Sequence, residues 1–138
     1  DLHLEVLILT EAMRKAGMNP QSISQSNFKD CMYWNFPQII THHSSNGCNL
    51  MPGDLLASGT ISGPEASQRG CLLERTWAGH GPDGKPAQRT PIMLPTGEKR
   101  IFLEDGDEII MRGWCQRDGY RRIGLGEVRN KVVPAKAR

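Results

Sequence analysis

Residues 100–133, RIFLEDGDEIIMRGWCQRDGYRRIGLGEVRNKVV, decide the class of fold. Apolar, aromatic and β-branched side chains fill residues 100–103 and 108–115 on either side of Glu104-Asp105-Gly106-Asp107. Glycine and acidic residues favour a tight reversal, so the two runs read as a hairpin. Arg117-Asp118-Gly119 marks a second tight turn before a strand at 120–125, and residues 131–133 close the sheet. Short runs divided by turns of this kind produce antiparallel β structure.

Working outward, residues 2–9 (LHLEVLIL) read as a further strand, with Leu2, Leu4 and Val6 in one parity and apolar residues on both faces at the end. Residues 10–16 fit either a helix or a turn, and Gly17, Asn19 and Pro20 mark a loop. One principal helix is expected from Ser26 as N-cap to a stop at Gly47. Its apolar face is Phe28, Met32, Phe36, Ile39 or Ile40, and His43. Pro37 removes a backbone donor inside that pattern and predicts a bend or a split. Beyond it come a turn at 52–54, a short strand at 55–58, a loop at 59–64 (GTISGP), a strand at 71–77 and an irregular insertion at 78–97. The fold class is therefore mainly β with one principal helix, in a single domain.

Composition agrees. The 138 residues include 15 glycines and 9 prolines, with 38% hydrophobic and 23% charged side chains. That balance permits a modest core and argues against both disorder and a helical bundle. No apolar stretch approaches the roughly 18 residues that span a bilayer, so no membrane partner is expected. Cys31, Cys48, Cys71 and Cys115 form no CxxC pair, and no secretion signal opens the chain; reduced thiols and a cytoplasmic location follow. Residues 1–74 carry a net charge of −3 and residues 75–138 one of +5. Arg112, Arg117, Arg121, Arg122 and Arg129 are interleaved with acids, which cancels the cationic cluster that phosphate binding needs. No nucleic-acid partner is expected.

Few side chains present themselves for chemistry. His42 and His43 are adjacent, diverge by about 100° on a helix, and make a poor pair of ligands for one ion. Asp105 and Asp107 resemble half a calcium loop without its downstream glutamate and read as a solvated hairpin tip. In the loop at 59–64, Gly59 and Gly63 flank Thr60 and Ser62, so backbone N–H groups and a hydroxyl can approach a carboxylate or phosphate; a tight sheet corner fits the composition equally. In a strand at 71–77, Leu72, Glu74 and Thr76 share one face. A carboxylate beside a leucine needs a partner or takes up a proton, and a histidine from elsewhere would give a pair able to activate water.

Four stretches carry a resemblance. THHSSNGCNLMPGDLLASGTISGPE (41–65), SNFKDCMYWNF (26–36), CLLERTW (71–77) and FLEDGDEIIMRGWCQRDGYRRIGLGEV (102–128) resemble the fumarylacetoacetase (fumarylacetoacetate hydrolase) family, and they cover nearly the whole chain. The PGDLLASGTISG core alone indicates the wider superfamily; the longer run with NGCNL is specific to the family itself. The resemblance implies that residues 1–138 form the C-terminal part of the family's catalytic domain, a mixed β-sandwich roll. The family's N-terminal domain and the first half of the catalytic domain have no counterpart in these residues. It also implies metal-dependent hydrolysis of the carbon–carbon bond of 4-fumarylacetoacetate to fumarate and acetoacetate, in tyrosine and phenylalanine catabolism, by a homodimer acting on a small molecule.

Carried over position by position, the family pattern places its histidine-orienting glutamate at Glu74 and substrate contacts at Gly59 and Thr60. The family's catalytic histidine and the acidic ligands of its calcium or magnesium ion fall in stretches earlier than these, so no metal ligand is assigned here and the segment alone is expected to be inactive. Three features depart from the family: Pro37 inside its helix, Arg75 where an apolar residue is usual, and a long stretch at 79–100. The alternatives are a related hydrolase of an acylpyruvate or other 2-oxo acid, and a non-enzymatic β-rich binding module.

Overall fold

The computed structural model describes residues 1–136. Strand β1 (Leu2–Leu9), buried at its C-terminal end where apolar residues occupy both faces, lies inside the sheet. It pairs antiparallel with β2 (Gln21–Asn27) on one side and with β5 (Glu108–Cys115) on the other. β5 in turn pairs with β6 (Ile123–Lys131), giving a four-stranded antiparallel sheet of order β2-β1-β5-β6. The expected mainly β class is what forms.

Several elements differ from expectation. Residues 100–103 do not pair with β5, because both edges of β5 are taken by β1 and β6. Instead β4 (Lys99–Arg100) pairs with β3 (Ile92–Met93) in a separate two-stranded sheet. β6 runs unbroken where two short strands were expected. A bulge opposite Gly113 absorbs Leu125 and Gly126, and Gly126 takes a left-handed φ of 92° that a side chain would resist. β2 escaped the sequence reading because QSISQSN carries only one strongly apolar residue; it is an edge strand, where most of its polar side chains stay partly wet and only Ser24 is buried. The run at 55–58 forms no strand, and Leu55 is 94% exposed.

The ambiguous stretch after β1 becomes helix α1 (Glu11–Lys15), capped by Thr10, whose Oγ1 accepts from the Met13 N–H at 3.1 Å. The principal helix is split. α2 (Phe28–Cys31) is capped not by Ser26 but by Asn27, the last residue of β2, whose Oδ1 accepts the Lys29 N–H at 2.9 Å. α3 (Phe36–Ser44) starts at a capping box in which Asn35 and Gln38 exchange side-chain-to-backbone hydrogen bonds, both 3.0 Å. Pro37 falls in the first turn of α3, where its missing N–H costs nothing, so it starts a helix rather than bending one.

The core sits at the end of β1 under α1. Leu7, Ile8, Leu9, Met13, Leu94 and Ile110 are buried, together with Thr10, Arg100 and Asp107. The expectation of a solvated tip fails at Asp107. Its carboxylate receives Arg100 Nε at 2.8 Å and Nη2 at 3.1 Å, and accepts the Glu104 N–H at 2.9 Å. These contacts hold the Arg100 guanidinium well above its ordinary pKa. Glu98 accepts hydroxyl donors from Thr10 (2.6 Å) and Thr96 (2.5 Å), which lower its pKa.

Candidate active site

The site is built from a loop and one helical turn. Residues 71–77 were expected to be a strand, but Leu72–Arg75 form α4, a single turn after the N-cap Cys71. Leu, Leu, Glu and Arg in succession are all good helix formers, and the run lacks a neighbouring strand to pair with. The Arg75 and Thr76 N–H groups donate to the Cys71 and Leu72 carbonyls at 2.9 and 3.0 Å. At the C-terminal end Arg89 Nη1 donates to the Leu73 carbonyl at 2.8 Å and to Thr76 Oγ1 at 3.2 Å, while the buried Thr76 hydroxyl donates to the Leu72 carbonyl at 2.7 Å. The turn is therefore anchored from outside itself.

On α4 Leu72, Glu74 and Thr76 no longer share a face. Glu74 is half-buried and turns toward the 59–64 loop, where Ser62 Oγ donates to its Oε2 at 2.5 Å. Ser62 Oγ in turn accepts the Gly70 N–H at 3.0 Å. A second backbone tie, from the Gly63 N–H to the Gln68 carbonyl at 3.1 Å, clips the loop to the short 3₁₀ turn Ala66–Gln68. Gly70 must be glycine: a Cβ there would sit 2.5 Å from the Ile61 carbonyl oxygen and 2.7 Å from Thr60 Cγ2. Loop and helix are thus locked at van der Waals distance.

Gly59 and Thr60 stand on the exposed stretch of the same loop. Gly59 has a φ of 77°, a left-handed conformation that needs glycine, with open space where a Cβ would project. Thr60 packs its methyl group toward Gly70. Neither hydrogen-bonds to Glu74 among the described residues; Thr60 is connected to it through Gly70 and Ser62, and Gly59 only along the loop. Ser62 is the residue that sequence reasoning left out of the site, although its position between two glycines marked it as a hydroxyl in reach of a ligand. Beside Glu74 a hollow of about 250 Å³ is lined by Arg69, Leu73 and Trp77.

Arg75 points elsewhere. It lines an apolar cavity of about 380 Å³ between α4 and the sheet, its Nε is buried, and that atom has no hydrogen-bond partner among the described residues. It does not compete for Glu74. His42 and His43 are exposed near the end of α3, with His43 Nε2 3.4 Å from Cys48 Sγ. Among the described residues no three His, Cys, Asp or Glu side chains gather as a metal site. Among the described residues the cysteines are unpaired, and no helix is long and apolar enough to cross a membrane. On the sheet, Arg112 and Arg129 are neutralised: Arg112 Nε lies 2.7 Å from Glu127, and Arg129 reaches Glu108 at 2.7 Å and Glu127 at 3.1 Å.

The antiparallel β scaffold thus presents a loop-clamped carboxylate, that of Glu74, beside the glycine-edged loop at 59–64. Residues 3–133 match the family described as fumarylacetoacetate (FAA) hydrolase C-terminal, and the chain belongs to that family. It is similar to the fumarylacetoacetases of Bos taurus and Homo sapiens, each 51% identical over 135 residues. It is also similar to that of Arabidopsis thaliana, 47% identical over 113 residues. These alignments cover 98%, 98% and 82% of the chain. The chain spans only 29%, 29% and 24% of the respective relatives.

Proposed function

We propose that the chain is the C-terminal part of a fumarylacetoacetase catalytic domain, in an enzyme that hydrolyses 4-fumarylacetoacetate to fumarate and acetoacetate during tyrosine and phenylalanine breakdown. The observation that carries this reading is the half-buried Glu74 carboxylate held against the 59–63 loop by Ser62. On this reading Glu74 accepts an N–H from a histidine contributed by polypeptide outside these residues. The opposite ring nitrogen takes a proton from water as its oxygen attacks the substrate carbonyl. The carbon–carbon bond then breaks, its electron pair stays on the departing carbon, and the imidazolium returns the proton there. Gly59 and Thr60 offer an N–H and a hydroxyl to a substrate carboxylate or carbonyl.

The family resemblance also implies a divalent cation, calcium or magnesium, which would polarise a carbonyl as a Lewis acid. The residues described here do not fit such an ion by themselves, since no three potential ligands gather, and the roles above run through none. We extend the reading to a cytoplasmic homodimer without nucleic-acid or membrane partners. The ion pairs of Arg112 and Arg129 weigh against a phosphate-binding face on the sheet, and the unpaired cysteines suit a reducing compartment.

The test is a complete enzyme in which this chain replaces the matched segment of the bovine relative. It is expected to turn over fumarylacetoacetate faster than an acylpyruvate, and Glu74→Gln is expected to lower kcat by about a hundredfold with little change in KM. Faster turnover of the acylpyruvate, or an unchanged kcat in the variant, overturns the reading. The 138-residue chain alone is expected to be inactive.

A further inference from the structure

We propose that Ser62 is a positioning residue for Glu74, a one-way hydrogen-bond clamp that selects which carboxylate oxygen meets the imidazole; this rests on the role given to Glu74 above. A serine hydroxyl has a single proton to donate. The Gly70 N–H donates to Ser62 Oγ, occupying a lone pair of that oxygen, and the hydroxyl proton is directed at Glu74 Oε2. The order of donors is thereby fixed: backbone amide to hydroxyl, hydroxyl to carboxylate. An O–H that accepts an N–H is polarised and donates more strongly.

Two consequences follow for the carboxylate. Its Oε2 is held in place as the acceptor of the serine hydroxyl. No other hydrogen bond reaches it among the described residues, so Oε1 is left for the imidazole N–H. The clamp is also rigid. Gly70 cannot shift toward the loop, since the space its Cβ would need is filled by Ile61 and Thr60, and Gly63 is tied to Gln68. A carboxylate on a single helical turn otherwise rotates freely, and loss of a partner that orients a reacting group costs activity through geometry.

The experiment compares Ser62→Ala, Ser62→Cys and Ser62→Thr in the complete chimeric enzyme, with Glu74→Gln and the double variant Ser62→Ala/Glu74→Gln beside them. Ser62→Ala is expected to lower kcat about tenfold to a hundredfold with KM nearly unchanged. Ser62→Cys, which keeps the shape and weakens the donor, should fall between that variant and the parent, and Ser62→Thr should recover most of the rate. The double variant should be no slower than Glu74→Gln alone, because the clamp has nothing left to hold. In the 138-residue chain itself, Ser62→Ala is expected to speed hydrogen exchange at the Gly70 amide at least tenfold. Parental kcat in both Ser62→Ala and Ser62→Cys, a further loss in the double variant, or unchanged Gly70 exchange overturns the clamp. Parental kcat in Glu74→Gln overturns instead the reading on which it rests.

Discussion

Arg100 grips Asp107 through two hydrogen bonds, Nε to Oδ2 at 2.8 Å and Nη2 to Oδ1 at 3.1 Å, with Asp107 only 1% exposed. This pair, and not a β ladder, joins β4 to the start of β5. A fork-to-fork pair is geometrically selective, and removing one partner strands a buried charge. Asp107→Asn is expected to destabilise the chain by about 3 kcal/mol, read as a lower midpoint in urea. An unchanged midpoint would mean that the pair contributes nothing net.

Glu98 gives the chain an acid-sensitive joint. Hydroxyl donors from Thr10 and Thr96 lower its pKa from the ordinary 4.5. A group whose folded pKa is depressed contributes stability that is present above its unfolded value and lost as pH falls through the folded one. Thermal midpoints should therefore decline as pH drops below about 4.5. Glu98→Gln should flatten that decline while lowering the midpoint at neutral pH. Glu11 and Glu127 are depressed too, by exposed partners, and added salt should weaken their share but not that of Glu98.

Arg75 is a liability for this chain. Its Nε is buried without a partner among the described residues, against an apolar cavity, and a buried unsatisfied donor costs on the order of 1 kcal/mol or more. Arg75→Met keeps the aliphatic bulk and removes the donor. The expected outcome is a gain of about 1 kcal/mol in urea unfolding. A loss of stability would show that the guanidinium is satisfied.

Gly70 and Gly59 should respond differently to alanine. At Gly70 the new methyl collides with Ile61 and Thr60, so Gly70→Ala should cost about 2 kcal/mol and push the loop off α4. At Gly59 there is open space and only the left-handed backbone resists, so the cost should be about 1 kcal/mol. In the complete enzyme Gly70→Ala should reduce kcat as Ser62→Ala does, whereas Gly59→Ala, at a proposed substrate contact, should act chiefly on KM. An unchanged kcat in Gly70→Ala would argue against a clamp acting through Gly70.

Local chemistry made a good part of this fold legible in advance. The apolar run of β1 and the turn residues at 104–107 act within a few residues of themselves, and so does Pro37, read as an interruption of one helix though it stands in the first turn of α3. The family pattern likewise pointed to Glu74, Gly59 and Thr60. What reading along the chain could not supply was partner choice. Residues 100–103 have strand-like composition, yet both edges of β5 are filled by segments roughly 100 residues before it and 15 after it, so only Arg100 pairs, with Ile92 of β3, and residues 101–103 form no strand. Glu74 lies in a run whose length suits a strand or a helical turn, and the absence of an adjoining strand decided for the turn. Ser62 became part of the site only because Gly70 lets a loop and a helix, twelve residues apart, come within hydrogen-bond reach. Propensity and punctuation are short-range and written in neighbouring side chains. Edge occupancy and donor–acceptor pairing are long-range, and only the folded chain brings those groups together.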